Sequence, residues 1–154
     1  MNLQFRSATQ EDYDFLYNLT VATMKEYVAA IWGWDENWQQ SYFRQIFPNK
    51  SWQVIVIDSV DVGAYVVEER PEEIYLANLY ILPNFQKRGI GTKVVRCIQK
   101  RANELGVPVA LDVLRSNPDA RRLYERLGFQ TATQTAERFI MRLDPSSPAS
   151  PNSR

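Results

Sequence analysis

Apolar positions along the chain change their period several times, and each change marks an element. Ile74-Tyr75-Leu76-Ala77-Asn78-Leu79-Tyr80-Ile81-Leu82 is a nearly unbroken apolar and aromatic run closed by Pro83-Asn84, which predicts a mostly buried strand followed by a turn. Ile90, Val94, Val95, Ile98, Ala102 and Leu105 then recur at helical spacing until Gly106 and Pro108 end the helix. Val109-Ala110-Leu111-Asp112-Val113-Leu114 reads as a short strand. Asn117 is a good N-cap, Pro118 suits the first helical position, and Gly128 closes a helix of about three turns. Two further strands are expected over 129–134 and 138–143.

Upstream, Leu3 and Phe5 with polar neighbours suggest a first strand. Thr9 and Asp12 are spaced like a capping box, opening a helix that should run to about Val28 with Phe15, Leu16, Leu19, Ala22 and Met24 on its apolar side. Trp32, Trp34 and Trp38 follow, and a second helix is expected from Asp35 or Glu36 to Phe47, stopped by Pro48-Asn49. Residues 52–57 and 62–69 look like a strand pair joined by the turn Asp58-Ser59-Val60-Asp61. Strands in a run, then strand, helix, strand, helix and strand, give a mixed α+β sheet. The Pro/Ser-rich stretch 145–154 has no apolar periodicity and is expected to be a disordered tail behind one domain spanning 1–144.

Composition narrows the function classes. A chain of 154 residues with 45% apolar content fits one soluble domain with a sizeable core. The 18 basic and 18 acidic residues cancel, so no global field favours nucleic acid or a membrane, and neither is expected as a partner. With one cysteine, no histidine and no signal or spanning pattern, an internal disulfide is excluded and a zinc site or a Cys-His pair disfavoured; a cytoplasmic protein is expected. Cys97 is expected to pack on its helix. Local charge is less even: Lys87, Arg88, Lys93, Arg96, Lys100 and Arg101 stand close together, with Lys100 and Arg101 better explained as a solvated helix face.

That basic stretch surrounds Gln86-Lys87-Arg88-Gly89-Ile90-Gly91, which lies between the predicted strand and helix. Glycines in a turn that opens a helix let an anion approach backbone N–H groups left without partners at the positive end of the helix dipole, a natural site for a phosphate or pyrophosphate. A dinucleotide fingerprint would want a third glycine where Val94 stands. A nucleoside-triphosphate loop would want Gly-Lys-Ser/Thr, and Gly91-Thr92-Lys93 has another order. An ordinary tight strand-to-helix turn remains the plain alternative.

The pattern Gln-x-x-Gly-x-Gly after a strand resembles the pyrophosphate segment of the GNAT superfamily of acyl-coenzyme A-dependent N-acetyltransferases. The stretch from Asn117 through Ala120, Tyr124, Gly128 and Phe129 resembles that superfamily's second coenzyme-binding segment, and is closest to ribosomal-protein N-terminal acetyltransferases. The resemblance is close over 74–131. It implies a mixed, largely antiparallel central sheet with splayed central strands flanked by helices, and acetyl-CoA as the acyl donor. It implies that Gln86, Lys87, Arg88, Gly89, Ile90, Gly91 and Thr92 hold the pyrophosphate. Asn117 and the backbone of Leu79 and Ile81 would hold the pantetheine arm, much as an added strand would be held.

Moving an acetyl group from a thioester to an amine requires a base for the amine proton and an acid for the leaving thiolate. By the resemblance Tyr124 is the candidate acid; by spacing alone it is a core aromatic beside Leu123 and Leu127. Asp112 interrupts an apolar strand, where a buried carboxylate needs a reason, and is the candidate base by the same resemblance. Glu72, Glu73, Tyr80 and the Asp35-Glu36 pair are its rivals; the strand before the glycine turn offers Tyr75 and Tyr80 but no carboxylate within 74–82. The acceptor, a small-molecule amine or a peptide N-terminus, would by the resemblance sit among the first helices, where Glu26, Trp34 and Asp35 could meet a cationic amine, with Tyr80 of the strand 74–82 as a further contact. Tryptophans that pack the helices onto the sheet are the competing reading. A non-catalytic acyl-CoA-binding or regulatory module is the alternative function, and both a monomer and a homodimer remain open.

Overall fold

The computed structural model of the chain describes residues 1–146. Among the described residues, seven strands hydrogen-bond in the order β1-β2-β3-β4-β5-β7-β6, with four α-helices. In chain order these are β1 (Leu3–Ser7), α1 (Tyr13–Trp32), α2 (Glu36–Ile46), β2 (Trp52–Ile57), β3 (Val60–Glu69), β4 (Ile74–Ile81), α3 (Ile90–Leu105), β5 (Val109–Leu114), α4 (Pro118–Arg126), β6 (Gln130–Gln134) and β7 (Arg138–Leu143). Antiparallel pairing dominates, and the β4–β5 ladder is parallel, as its helical crossover through α3 requires. The mixed, largely antiparallel layout expected from the sequence is the one found. Among the described residues, no helix is long and apolar enough to cross a membrane, and no cluster of three or more His, Cys, Asp and Glu could hold a metal ion.

The chain divides into two compact units, the first comprising Met1–Val67 with Ala77–Gly91 and the second Glu68–Leu76 with the chain from Thr92 on. In the first, β1 pairs β2 from Leu3↔Ile57 to Ser7↔Gln53, and β2 pairs β3. The hairpin turn is shorter than the four residues expected: Asp58 and Ser59 alone make it, at φ +48° and +70°, and Val60 already pairs with Ile57. Two successive left-handed residues match the twist of the strands they join. Leu16 and Leu19 of α1, Phe43 of α2, and Trp52, Ala64 and Val66 of the strands form a buried cluster. Gly63 is required by close approach, since a Cβ there would lie 2.3 Å from the Tyr80 carbonyl oxygen.

Arg6 fastens this unit. Its guanidinium donates to both Asp12 carboxylate oxygens, at 2.9 and 2.8 Å, and to Asp61 at 2.8 Å. Asp12 completes the capping box with Thr9 that the sequence announces. Helix α1 runs one turn beyond the expected Val28, because nothing before Gly33, at φ +78°, breaks it.

In the second unit β5 lies between β4 and β7. Helix α3 buries Val94, Val95, Ile98 and Ala102 at the expected spacing, with Ile90 at its start. Leu105 departs from that stripe and is 45% exposed in the last turn. Cys97 is exposed, not packed, because the buried face passes through Val94, Val95 and Ile98. Ala22 of α1 is exposed likewise. The predicted tail, 145–154, lies from 147 on outside the described residues; in its described part the Ser146 N–H donates to Asn103 Oδ1 at 3.0 Å.

Candidate active site

The glycine turn belongs to the first unit. After β4, Pro83–Phe85 form a single 3₁₀ turn, and Gln86 to Gly89 are exposed while Ile90 is buried as the anchor of α3. The Gln86 amide donates to the Ile81 carbonyl at 2.9 Å, so the side chain spans the turn it belongs to. Lys87 and Gly89 both adopt left-handed conformations, at φ +62° and +80°. Alternating such residues turns successive N–H groups toward one side, the geometry of an anion-binding nest. A Cβ built on Gly89 meets nothing within 4 Å, so the turn's outer surface is open there. This is a surface a diphosphate could approach closely, beside the free N–H groups of the first turn of α3. The Arg88 guanidinium lies over the Phe85 ring at 5.2 Å.

Not all of the basic stretch serves this turn. Arg101 pairs with Glu69 at 3.1 Å, and Arg96 donates to the Gln99 side chain and the Leu127 carbonyl. These contacts use both arginines to hold α3 against its neighbours in the second unit.

The second unit carries the candidate acid and base. Asn117 caps α4, its side-chain oxygen accepting from the Ala120 N–H at 3.2 Å, as the sequence suggests. Tyr124 is 9% exposed and meets Phe129 edge-on with centroids 5.5 Å apart, so the last aromatic of the motif braces it. Asp112 corrects the sequence reading in one respect: it is exposed, not buried. Val109, Leu111 and Val113 take the covered face of β5, which leaves Ala110 and Asp112 on the other.

Tyr75 shares that face. It pairs with Ala110 across the parallel ladder, two residues from Asp112. Burial first, and the Asp112 carboxylate second, hold the Tyr75 hydroxyl above its ordinary pKa. The Arg70 guanidinium covers the Tyr75 ring at 4.3 Å and pairs with Glu68 and Glu73. Glu73 is therefore occupied in an ion pair, while Tyr75 and Asp112 are brought together.

The proposed acceptor residues of the first unit divide. Asp35 caps α2, accepting from the Trp38 N–H at 3.0 Å. The Trp34 indole donates to Glu36, which also accepts from Tyr17 and Gln40. These three donors, Trp34 foremost, lower the Glu36 pKa to about 2. Glu26 is exposed on α1. Trp32 and Trp38 do not pack helices onto a core: they are 51% and 56% exposed, and Trp38 stacks on Tyr42 with centroids 4.9 Å apart. The core tryptophan is Trp52, 3% exposed.

Tyr80 lies beside it, ring centroids 6.1 Å apart. Its hydroxyl accepts from the Asn78 amide at 2.8 Å, and Asn78 accepts from the Lys50 ammonium at 2.8 Å. Burial pushes the Tyr80 pKa up to about 12, which suits a hydrogen-bond donor and not a base. Lys50, Asn78 and Trp52 are absent from the sequence-based set; a Lys-x-Trp pair opening a strand carries no motif that would have found them.

A family model described as the acetyltransferase (GNAT) family matches residues 13–129. The thialysine N-epsilon-acetyltransferase of Mus musculus is 35% identical over 63 residues, 40% of this chain and 37% of that relative, so the match spans little more than a third of the relative's length. Among solved structures, the PaiA N-acetyltransferase of Thermoplasma acidophilum, in complex with coenzyme A, superposes with a TM-score of 0.76 at 21% identity, covering 94% of this chain and 99% of that one. The ribosomal-protein-S18-alanine N-acetyltransferase of Escherichia coli gives a TM-score of 0.69 at 20% identity, with 98% of both chains covered. At such identities the likeness is one of fold.

Proposed function

Because the chain belongs to the acetyltransferase (GNAT) family, we propose that it is an N-acetyltransferase that moves an acetyl group from acetyl-CoA to a primary amine, on a small molecule or a peptide N-terminus. The observation that carries this reading furthest is the turn from Gln86 to Gly91, with its open face at Gly89 and its side-chain brace to Ile81. Gln86, Lys87, Arg88, Gly89, Ile90, Gly91 and Thr92 would hold the pyrophosphate. Leu79, Ile81 and Asn117 would hold the pantetheine arm. The donor supplies an activated acyl thioester, and the remaining steps fall to side chains.

Tyr75 and Asp112 act together on the acceptor. Asp112 takes the amine proton as the new C–N bond forms, and Tyr75 orients the carboxylate that receives it. Tyr124 gives a proton to the sulfur as the C–S bond breaks. One proton leaves the amine and one reaches the thiolate, so the exchange balances. The exposed lone thiol of Cys97 fits a reducing compartment, and we place the protein in the cytoplasm.

Binding tests the reading first. A ligand that binds only the folded state raises the melting temperature by mass action. Acetyl-CoA at millimolar concentration should raise it; an unchanged melting temperature would count against donor binding at this turn.

A further inference from the structure

The Lys50–Asn78–Tyr80–Trp52 cluster in the first unit has a defined polarity. An ammonium can only donate, so the Asn78 atom facing Lys50 must be its oxygen. The Asn78 amide nitrogen therefore faces Tyr80 and donates to its hydroxyl oxygen. With its oxygen accepting, the Tyr80 hydroxyl turns its own proton elsewhere. Next to it stands Trp52, whose indole Nε1 is buried without an acceptor among the described residues. A buried donor left unmatched is costly, and an acceptor atom placed there relieves it. The Lys50 ammonium lies 6.0 Å from the Trp52 ring centroid, adding positive charge at the same place while keeping its bond to Asn78.

Two donors and one cation thus stand in one cluster, and Asn78, with both polar ends used, links Lys50 to Tyr80. That inventory suits an anionic group with two acceptor oxygens. We propose that Trp52, Tyr80 and Lys50 form a carboxylate subsite, and that the acceptor is an amine that itself carries a carboxylate. This inference rests on the acetyltransferase reading, because Tyr80 sits on β4 between Leu79 and Ile81, whose backbone would hold the donor's arm.

The test pairs free acids with their carboxamides. L-lysine, L-phenylalanine, L-glutamate and β-alanine are offered with acetyl-CoA, each against the corresponding carboxamide, and thiol release is followed. The acid of at least one pair should be preferred in kcat/KM by roughly tenfold or more, the scale of hydrogen bonds to a charged partner. Tyr80→Phe and Lys50→Met should each collapse that preference toward unity, chiefly through KM for the acid. Trp52→Phe should do the same, and the other two variants decide the matter if it fails to fold. Equal use of acids and carboxamides, or a preference that survives Tyr80→Phe and Lys50→Met, overturns the subsite while leaving acetyl transfer standing. If no amine releases thiol, the activity falls, and the subsite is judged by melting temperature: the N-acetyl forms of the four acids should raise it more than their carboxamides, and equal shifts overturn it.

Discussion

The Gln86 side chain donates to the Ile81 carbonyl across the turn that joins β4 to α3, at 2.9 Å. This bond ties the end of the strand to the residue opening the glycine turn, so strand and turn cannot shift independently. Gln86→Ala should therefore weaken acetyl-CoA binding through loss of turn geometry. A melting-temperature titration should show a smaller acetyl-CoA shift, with the ligand-free protein destabilised by about 1 kcal/mol.

Gly89 and Lys87 make opposite predictions from the same conformation. At φ +80° a side chain on Gly89 is strained, and it would also fill the open face of the turn. Gly89→Val should abolish the acetyl-CoA shift and destabilise the free protein by about 1–2 kcal/mol. Lys87 already bears that strain at φ +62°. Lys87→Gly should leave the free protein as stable or more so, while weakening the donor's binding only by the lost charge. Chemical denaturation with and without acetyl-CoA separates the two effects.

Much of this arrangement was legible in the sequence, and its failures have physical causes. Local signals held: the Thr9–Asp12 capping box, Asn117 before Pro118, and the apolar spacing of α3 each act within one turn of chain, where sequence and geometry are tightly coupled. What depends on distant chain was not legible. Asp112 is exposed because the other face of β5 takes the apolar residues, and one polar residue in a short strand does not say which face is covered. Trp32 and Trp38 look like core residues by type, yet the core place went to Trp52, set by β2 against α2. Cys97 and Leu105 show that the helical period fixes a stripe only to within a residue at its edges. The Lys50–Asn78 bond joins residues 28 apart and leaves no local trace.

The Arg6–Asp12 pair predicts the acid limb of stability. The Asp12 pKa is lowered, chiefly by its hydrogen bonds to Arg6. A depressed carboxylate contributes stability that is complete above its unfolded value, about 4, and is lost as pH falls through the folded value below it. Asp12→Asn should destabilise the protein at pH 7 by on the order of 1–3 kcal/mol and flatten the pH dependence of stability below about pH 4. Urea unfolding across that range measures both.

Asp112 and Tyr124 should separate by pH and by step. Asp112→Asn should depress turnover most at lower pH, where deprotonated amine is scarce, with acetyl-CoA binding nearly intact; equal activity across the range would move the base elsewhere. Tyr124→Phe keeps the ring against Phe129 and should lower turnover by roughly 10²-fold, the scale of a positioned acid. Unchanged turnover would return Tyr124 to a packing role.

Thiol release from acetyl-CoA over a panel of amines, amino acids, polyamines and N-terminal peptides, with the product's gain of one acetyl group confirmed by mass, tests acetyl transfer itself. The account predicts release that needs both protein and amine, and that Gly89→Val and Tyr124→Phe suppress. Acetyl-CoA that binds and raises the melting temperature, yet is never cleaved with any amine, would contradict it and leave a module that binds the donor without using it.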